Sequence, residues 1–307
     1  MTASVSPSPL PQVRADDTLR VLMLPDLHLP AKPEAAQRIL DNRDYLERMD
    51  YVQLLGDMVR CYATRREYDK VDAFIQSLKR PYGAVNGNHE FWFTDVDDDS
   101  PDYGFTWDEG TPEVQRRHLQ AFKTFYGYES LWRAEQNALG CWLFLGLDGV
   151  GVWKQETLSE PQLAFLLEQL REAGRAPLYI FCHAPLMLGR KLDMTYYEEA
   201  RSGCVELEGE LAQALSSRQA PTLWMSGHIH LHPDHHLFPP YELAPGVWQV
   251  HCPDGWGYSR WLREQHCPEQ HEGTFTRHLE VSRKGVELVA YNHVAQTEVA
   301  RHSITFG

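Results

Sequence analysis

No stretch of the 307-residue sequence strings together the roughly 18 apolar residues that a membrane-crossing helix needs. The opening MTASVSPSPLPQVRADD lacks a basic start followed by an apolar segment. Neither membrane insertion nor export is expected, and a cytoplasmic location is. Cysteine is scarce too: six residues, at 61, 141, 182, 204, 252 and 267, with no CxxC pair. That density excludes a small disulfide-stapled fold and reads as reduced thiols. Basic charge is also short, with 29 Lys plus Arg against 43 Asp plus Glu and a formal net charge of −14. Such a balance repels polyanions at long range, which makes a nucleic-acid polymer a poor partner. Carboxylates that hold cations count as negative in this sum although the occupied site can be positive. A small phosphorylated substrate therefore stays open.

What is present suits one large globular domain, since 43% of the residues are hydrophobic. Residues 1–17, rich in Ser and Pro, read as a flexible tail that cannot offset the entropy of ordering, and folding is expected over 18–307. Arg20 to Pro25, Tyr51 to Leu55 and Tyr82 to Val85 read as short buried strands. Apolar residues at helical spacing fill Pro33 to Met49 and Val71 to Leu78 between them, a β-α-β-α-β pattern that makes neighbouring strands parallel. Cys141 to Leu147, Leu178 to Cys182 and Thr222 to Met225 are further strands. Ser159 is placed to cap a helix carrying Leu163, Leu166, Leu167 and Leu170, with Gln162 set to complete a capping box. After Gly246, alternation and a turn at Lys284-Gly285 read as antiparallel structure. The irregular acidic stretch near 91–130 reads as an insertion over one rim. A solvated loop explains it; a lid carrying Phe105 and Trp107 is the sharper alternative.

Five polar clusters directly follow five of the apolar runs: Asp26-Leu27-His28, Gly56-Asp57, Gly87-Asn88-His89-Glu90, His183, and Gly227-His228-Ile229-His230. Strand ends in an open α/β sheet converge on one crevice, so groups far apart in sequence can meet there. Mixed Asp, Asn and His donors of borderline hardness fit Mn, Fe, Zn or Ni better than an all-oxygen calcium site. The donors outnumber what one ion uses, which points to a cation pair suited to phosphoryl displacement and to one carboxylate bridging it.

The ordered set DLH, GDMVR, GNHE, CHAP and GHIH, spanning residues 26 to 230, resembles the calcineurin-like metallophosphoesterase superfamily. That resemblance implies an α/β fold, a four-layer α-β-β-α sandwich of two mixed sheets. It also implies two divalent metal ions per chain, one held by Asp26, His28, Asp57 and His230 and the other by Asp57, Asn88, His183 and His228. A hydroxide or water between them would be the nucleophile. Asn88 would also donate to a substrate phosphate oxygen, and His89 would act on the leaving-group side as proton donor or stabilising cation. Orienting Asn88 is the competing role for His89. Arg60 stands where some relatives carry an acidic partner for this histidine. It could bind a phosphate oxygen or be a solvated group.

Purple acid phosphatases place a tyrosine ligand just after the bridging aspartate, and Met58, Val59 and Arg60 supply none. His232, His235 and His236 read as surface-loop residues around Pro233 rather than a third metal site. Asp148 reads as a turn residue, and Trp153, Trp256 and Tyr258 as packing groups. Cys182 and His183, as strand neighbours, should face opposite ways. The expected reaction is hydrolysis of a phosphate ester, with a small phosphodiester favoured over a monoester. A non-catalytic scaffold would show degenerate ligands, and none is degenerate. A nuclease would call for a basic, aromatic groove that the sequence lacks.

Overall fold

The computed structural model describes residues 2–14, 16–29, 31, 33–96, 108–151, 156–187, 204–253, 255 and 273–306. Strands β1 (Leu19–Leu24), β2 (Tyr51–Leu55) and β3 (Tyr82–Val85) are buried on both faces apart from Arg20, as covered parallel strands must be. They run parallel. From the other edge of β1, β12 (Phe275–Ser282), β13 (Gly285–Asn292) and β14 (Thr297–Thr305) continue the sheet antiparallel, giving the order β14-β13-β12-β1-β2-β3.

A second sheet contains β4 (Trp132–Asn137), β5 (Gly140–Leu145), β6 (Leu178–Cys182), β9 (Thr222–Leu231), β10 (Tyr241–Ala244) and β11 (Val247–Pro253) in the order β10-β11-β9-β6-β5-β4. Here β5, β6, β9 and β11 are parallel. A separate pair, β7 (Leu186–Met187) with β8 (Val205–Glu206), lies outside both sheets.

Side-chain alternation sorts the core into layers. Val21, Met23, Tyr51 and Leu55 of the first sheet meet Trp142, Phe144, Tyr179, Phe181, Leu223 and Met225 of the second. The opposite parity, Leu22, Leu24, Val52 and Leu54, packs under α1 (Pro33–Asp41), α2 (Arg43–Glu47), α3 (Arg65–Leu78) and α4 (Pro112–Tyr126). Leu143, Leu145, Ile180, Cys182 and Trp224 pack under α5 (Glu160–Glu172) and α6 (Gly209–Ser216). The result is the expected four-layer sandwich of two mixed sheets. Each large apolar side chain so covered contributes about 1.5–3 kcal/mol.

Several local features differ from the sequence reading. The helix expected over Pro33 to Met49 is broken at Asn42, whose buried amide donates to the carbonyls of Arg38 and His293. Ser159 does cap α5, accepting from Gln162 N, but the Gln162 side chain donates to the Gly146 carbonyl instead of closing a capping box. A full capping box forms at α3 between Thr64 and Glu67. β11 is antiparallel to β10, as the alternation suggests, yet parallel to β9.

The described part of the segment before β1, which composition reads as loose, makes hydrogen bonds to β3, α4 and the second-sheet strand β4. Ala3 N donates to Phe125 O, Ser8 N to Tyr82 O and Leu10 N to Glu135, and Leu10 is buried. In the acidic stretch, Phe93 and Glu109 form an antiparallel bridge and α4 buries Leu119, Phe122 and Phe125. Phe105 and Trp107 lie outside the described residues. No helix among the described residues is long and apolar enough to cross a membrane, and Cys61, Cys141, Cys182, Cys204 and Cys252 are free thiols.

Candidate functional site

The turns after β1, β2 and β3 sit side by side because their parent strands are parallel neighbours. Main-chain bonds knit them: Asp26 N donates to Gly56 O at 3.0 Å, and His28 N to Asp57 O at 2.9 Å. From the second sheet, His183 follows β6 directly. His228 and His230 lie not after a strand, as the apolar run suggests, but within β9, where its ladder with β11 shifts register. Gly227 N donates to His183 O at 3.0 Å, fixing the two second-sheet contributions together.

Backbone strain marks the place. Asp26, His28, Asp57, His228 and His230 all have positive φ, from 44° to 68°. A non-glycine residue in this region costs on the order of 1–3 kcal/mol and persists only where the surroundings over-determine it, which is a mark of functional sites. Two glycines are required by close approach. A Cβ on Gly227 would stand 2.5 Å from Asp26 Oδ2, and one on Gly87 would collide with Asp57 Oδ1. Each glycine thus makes room for a carboxylate from a different motif.

Among the described residues, three overlapping groups have potential ligand atoms within 4.8 Å of one another: Asp26 with His28 and His230, His28 with Asp57 and His89, and Asp57 with His183 and His228. Asp57 Oδ2 lies 3.1 Å from His183 Nε2, 3.8 Å from His89 Nε2 and 4.0 Å from His28 Nε2. Asp26 Oδ1 lies 3.5 Å from His230 Nε2 and 3.9 Å from both His28 Nε2 and His183 Nε2. Asp26 Oδ1 and Asn88 Oδ1 are buried with no hydrogen-bond partner among the described residues. Buried oxygens of this kind are costly unless a cation or donor reaches them, so the donor set fits divalent ions with mixed oxygen and imidazole ligands.

The surroundings hold these groups still. His183 Nδ1 donates to Leu55 O at 2.8 Å, which turns Nε2 towards Asp57. His89 Nδ1 donates to the Arg60 carbonyl, and its Nε2 faces Asp57. The Asp57 side chain accepts from His89 N at 2.9 Å, and the Asp26 side chain accepts from His228 N at 3.0 Å.

Charge is redistributed accordingly. Burial opposes ionisation of Asp57, but His183 and His89 outweigh it and hold the carboxyl well below its usual range. Burial lowers His183, yet Asp57 and then Asp26 raise it to about 10. Asp26 is raised by burial against the pull of His230 and His183. Burial lowers His28, reinforced by His89, and lowers His89 against the pull of Asp57.

The model of the calcineurin-like phosphoesterases matches residues 19–232, well over half of the sequence. The chain belongs to this family. Among solved structures, this calcineurin-like phosphoesterase is similar to a purple acid phosphatase from yellow lupin seeds, with a TM-score of 0.60 and 14% identity over 98% of this chain and 55% of that one. GAP50, the anchor in the inner membrane complex of Plasmodium, gives 0.55 and 12% over 95% and 90%. PhoD gives 0.54 and 11% over 98% and 73%. At such identities the likeness concerns the fold, and the chain spans about half the length of the lupin protein. No curated protein matches the sequence.

In this calcineurin-like phosphoesterase six of the sequence-predicted metal residues, Asp26, His28, Asp57, His183, His228 and His230, fall in the three overlapping groups together with His89, while Asn88 is placed only by its buried side-chain oxygen. Arg60 enters through its carbonyl. Two residues escaped sequence reasoning as site components. Glu90 accepts four backbone N–H groups of the flanking turns, a role hinted at only by its place in GNHE. Glu156, fully buried, sets Oε1 3.2 Å from His228 Nε2, and no local pattern announces it. Asp148 binds Ser159 at the start of α5, as a turn residue. Cys182 packs into the helix-facing core, away from His183. His232, His235 and His236 belong to none of the three ligand groups; His235 is buried in its turn rather than exposed. Trp153, Trp256 and Tyr258 lie outside the described residues.

Proposed function

We propose that this chain hydrolyses phosphate esters at two divalent cations that share Asp57. The first would be held by Asp26, His28, Asp57 and His230, the second by Asp57, Asn88, His183 and His228. The observation that carries the reading is the position of Asp57 Oδ2, within 3.1–4.0 Å of imidazole nitrogens from three other motifs. When bound, such a pair supplies an acidified water and neutralises charge developing on phosphate.

The remaining work falls to the protein. Asn88 offers an oxygen that adds no charge and an NH2 that can orient a phosphate oxygen. Since Nδ1 of His89 is committed to the Arg60 carbonyl, Nε2 is the atom through which this ring can exchange a proton with a leaving group. Burial lowers its pKa, and a bound phosphate anion would raise it. Asp26 fixes the second-sheet strand through His228 N, so both ligand sets stay in register.

A small phosphodiester is the proposed substrate class, and Mn, Fe, Zn or Ni the proposed ions. The test is elemental analysis of purified protein, followed by hydrolysis of chromogenic mono- and diesters with each metal added back. Two ions per chain and metal-dependent hydrolysis, faster on the diester, are expected. Faster monoester turnover would make the chain a phosphomonoesterase on the same ligands. Metal binding without turnover of any ester would leave a metal-binding scaffold, and failure to bind metal would sink the reading.

A further inference from the structure

Asn86, the residue between β3 and the Gly87-Asn88-His89-Glu90 turn, is fully buried and takes no part in the chemistry proposed above. Its Nδ2 donates to the carbonyl of Leu147, just past the end of β5 in the second sheet, at 2.7 Å. Its Oδ1 lies against Gly146, where a Cβ would collide with it. A glycine of one sheet again makes way for a side chain of the other, as Gly227 does for Asp26. The strand end that Asn86 grips is itself held. Gly146 N donates to Leu131 O at 2.8 Å, and Gln162 Nε2 donates to Gly146 O at 2.6 Å. Leu145 pairs with Cys182, so this strand end runs beside the one that delivers His183.

Other bonds of the Asn88 turn stay among the first-sheet turns: Gly87 N donates to Glu90 Oε2 at 2.6 Å and His89 N to Asp57 Oδ1 at 2.9 Å. Two bonds that cross between the sheets at the crevice, from His183 Nδ1 to Leu55 O and from His228 N to Asp26 Oδ2, run through proposed ligands. Asn86 spans the same gap without being one. The second proposed cation depends most on that gap, because it takes Asp57 and Asn88 from one sheet and His183 and His228 from the other. The first takes three of its four ligands from a single sheet.

We infer that Asn86 is a positioning residue: by tying the turn after β3 to the end of β5, it sets the separation at which Asn88 faces His183 and His228. That separation governs how well the second cation is held and where Asn88 presents its NH2 to a phosphate oxygen. The inference rests on the proposed cation pair and adds a residue outside both ligand sets.

The test uses the full chain and the variants Asn86→Leu, which keeps the branched shape without the donor, and Asn86→Ala. Each is titrated with Zn or Co against a competing chelator, and kcat and KM are measured on a chromogenic diester. In both variants the second ion is expected to bind about 10-fold more weakly, with affinity for the first unchanged. Turnover should fall by up to about 100-fold, the cost of misplacing a reacting group by about 1 Å. A side chain that only supports the fold would lower the urea midpoint and leave both affinities and kcat as they were. That result would overturn the inference while leaving the cation pair intact. Failure of the wild-type chain to bind a second ion would instead bring down the reading beneath it. A second measurement needs no variant. Coupling is reciprocal, so an ion held more tightly because of the Asn86 bond must strengthen that bond by the same factor. Magnetic resonance of the wild-type chain should therefore show the Asn86 carboxamide protons exchanging with solvent about 10-fold more slowly once the second ion is loaded, and exchange indifferent to that ion would refute the coupling.

Discussion

Glu90 holds Asp57 by its backbone: Glu90 Oε2 accepts the Asp57 N–H at 2.9 Å. The same carboxylate accepts from Gly87 N at 2.6 Å, Met58 N at 2.7 Å and Val59 N at 3.2 Å. One buried side chain therefore clamps the turns after β2 and β3 together. Substituting Gln puts an NH2 group against these donors and leaves N–H groups buried and unsatisfied, at about 1–3 kcal/mol each. Glu90→Gln is expected to lower unfolding free energy by about 2–4 kcal/mol, read from urea titrations. An unchanged midpoint would mean that the clamp is not needed to hold the turns.

Asp57 serves both proposed cations, so Asp57→Asn should lose more than either outer ligand would. Its Oδ1 also accepts from His89 N at 2.9 Å. Loss of metal content and a fall of roughly a thousandfold in diester hydrolysis are expected, several kcal/mol of transition-state stabilisation, with circular dichroism unchanged. Full activity in this variant would end the bridging assignment.

How much of this was legible beforehand follows from which interactions are local. β1, β2 and β6 announce themselves as short apolar runs closed by polar turns, and the Gly-Asp, Gly-Asn and Gly-His dipeptides reveal the site because each glycine makes way for a neighbour's side chain. β4 stays hidden: as an edge strand it is only half-buried, and Arg133, Glu135, Gln136 and Asn137 give it no apolar run. The break at Asn42 depends on the carbonyl of His293, 251 residues away. Glu156 acquires meaning only through His228. Contacts made in three dimensions between isolated residues leave no periodic trace.

His89 tests the division between ligand and proton-transfer group. Its Nε2 comes within 3.8 Å of Asp57 Oδ2, and its ring packs edge-on against His28 with centroids 4.4 Å apart. If it moves protons, His89→Ala should keep both ions and lose about 10²- to 10⁴-fold in turnover. Metal content measured beside kcat decides this. Loss of an ion would make His89 a ligand or the support of one.

Away from the crevice, His278 of β12 is buried between Tyr45 and Glu280. Its Nδ1 accepts from the Tyr45 hydroxyl at 2.8 Å and its Nε2 faces Glu280 Oε1 at 3.5 Å. Burial lowers its pKa to about 4, against the pull of Glu280, whereas an unfolded histidine titrates near about 6.5. Between those values the unfolded chain binds more protons, so the stability contribution is complete above about pH 6.5 and is lost as pH falls towards 4. The full shift is worth on the order of 3 kcal/mol. His278→Gln should therefore flatten the decline of the urea midpoint across this window, with a residual slope from His251 and His293, both lowered to about 3. Parallel declines in wild type and variant would show that protonation of His278 does not drive the acid sensitivity of the fold.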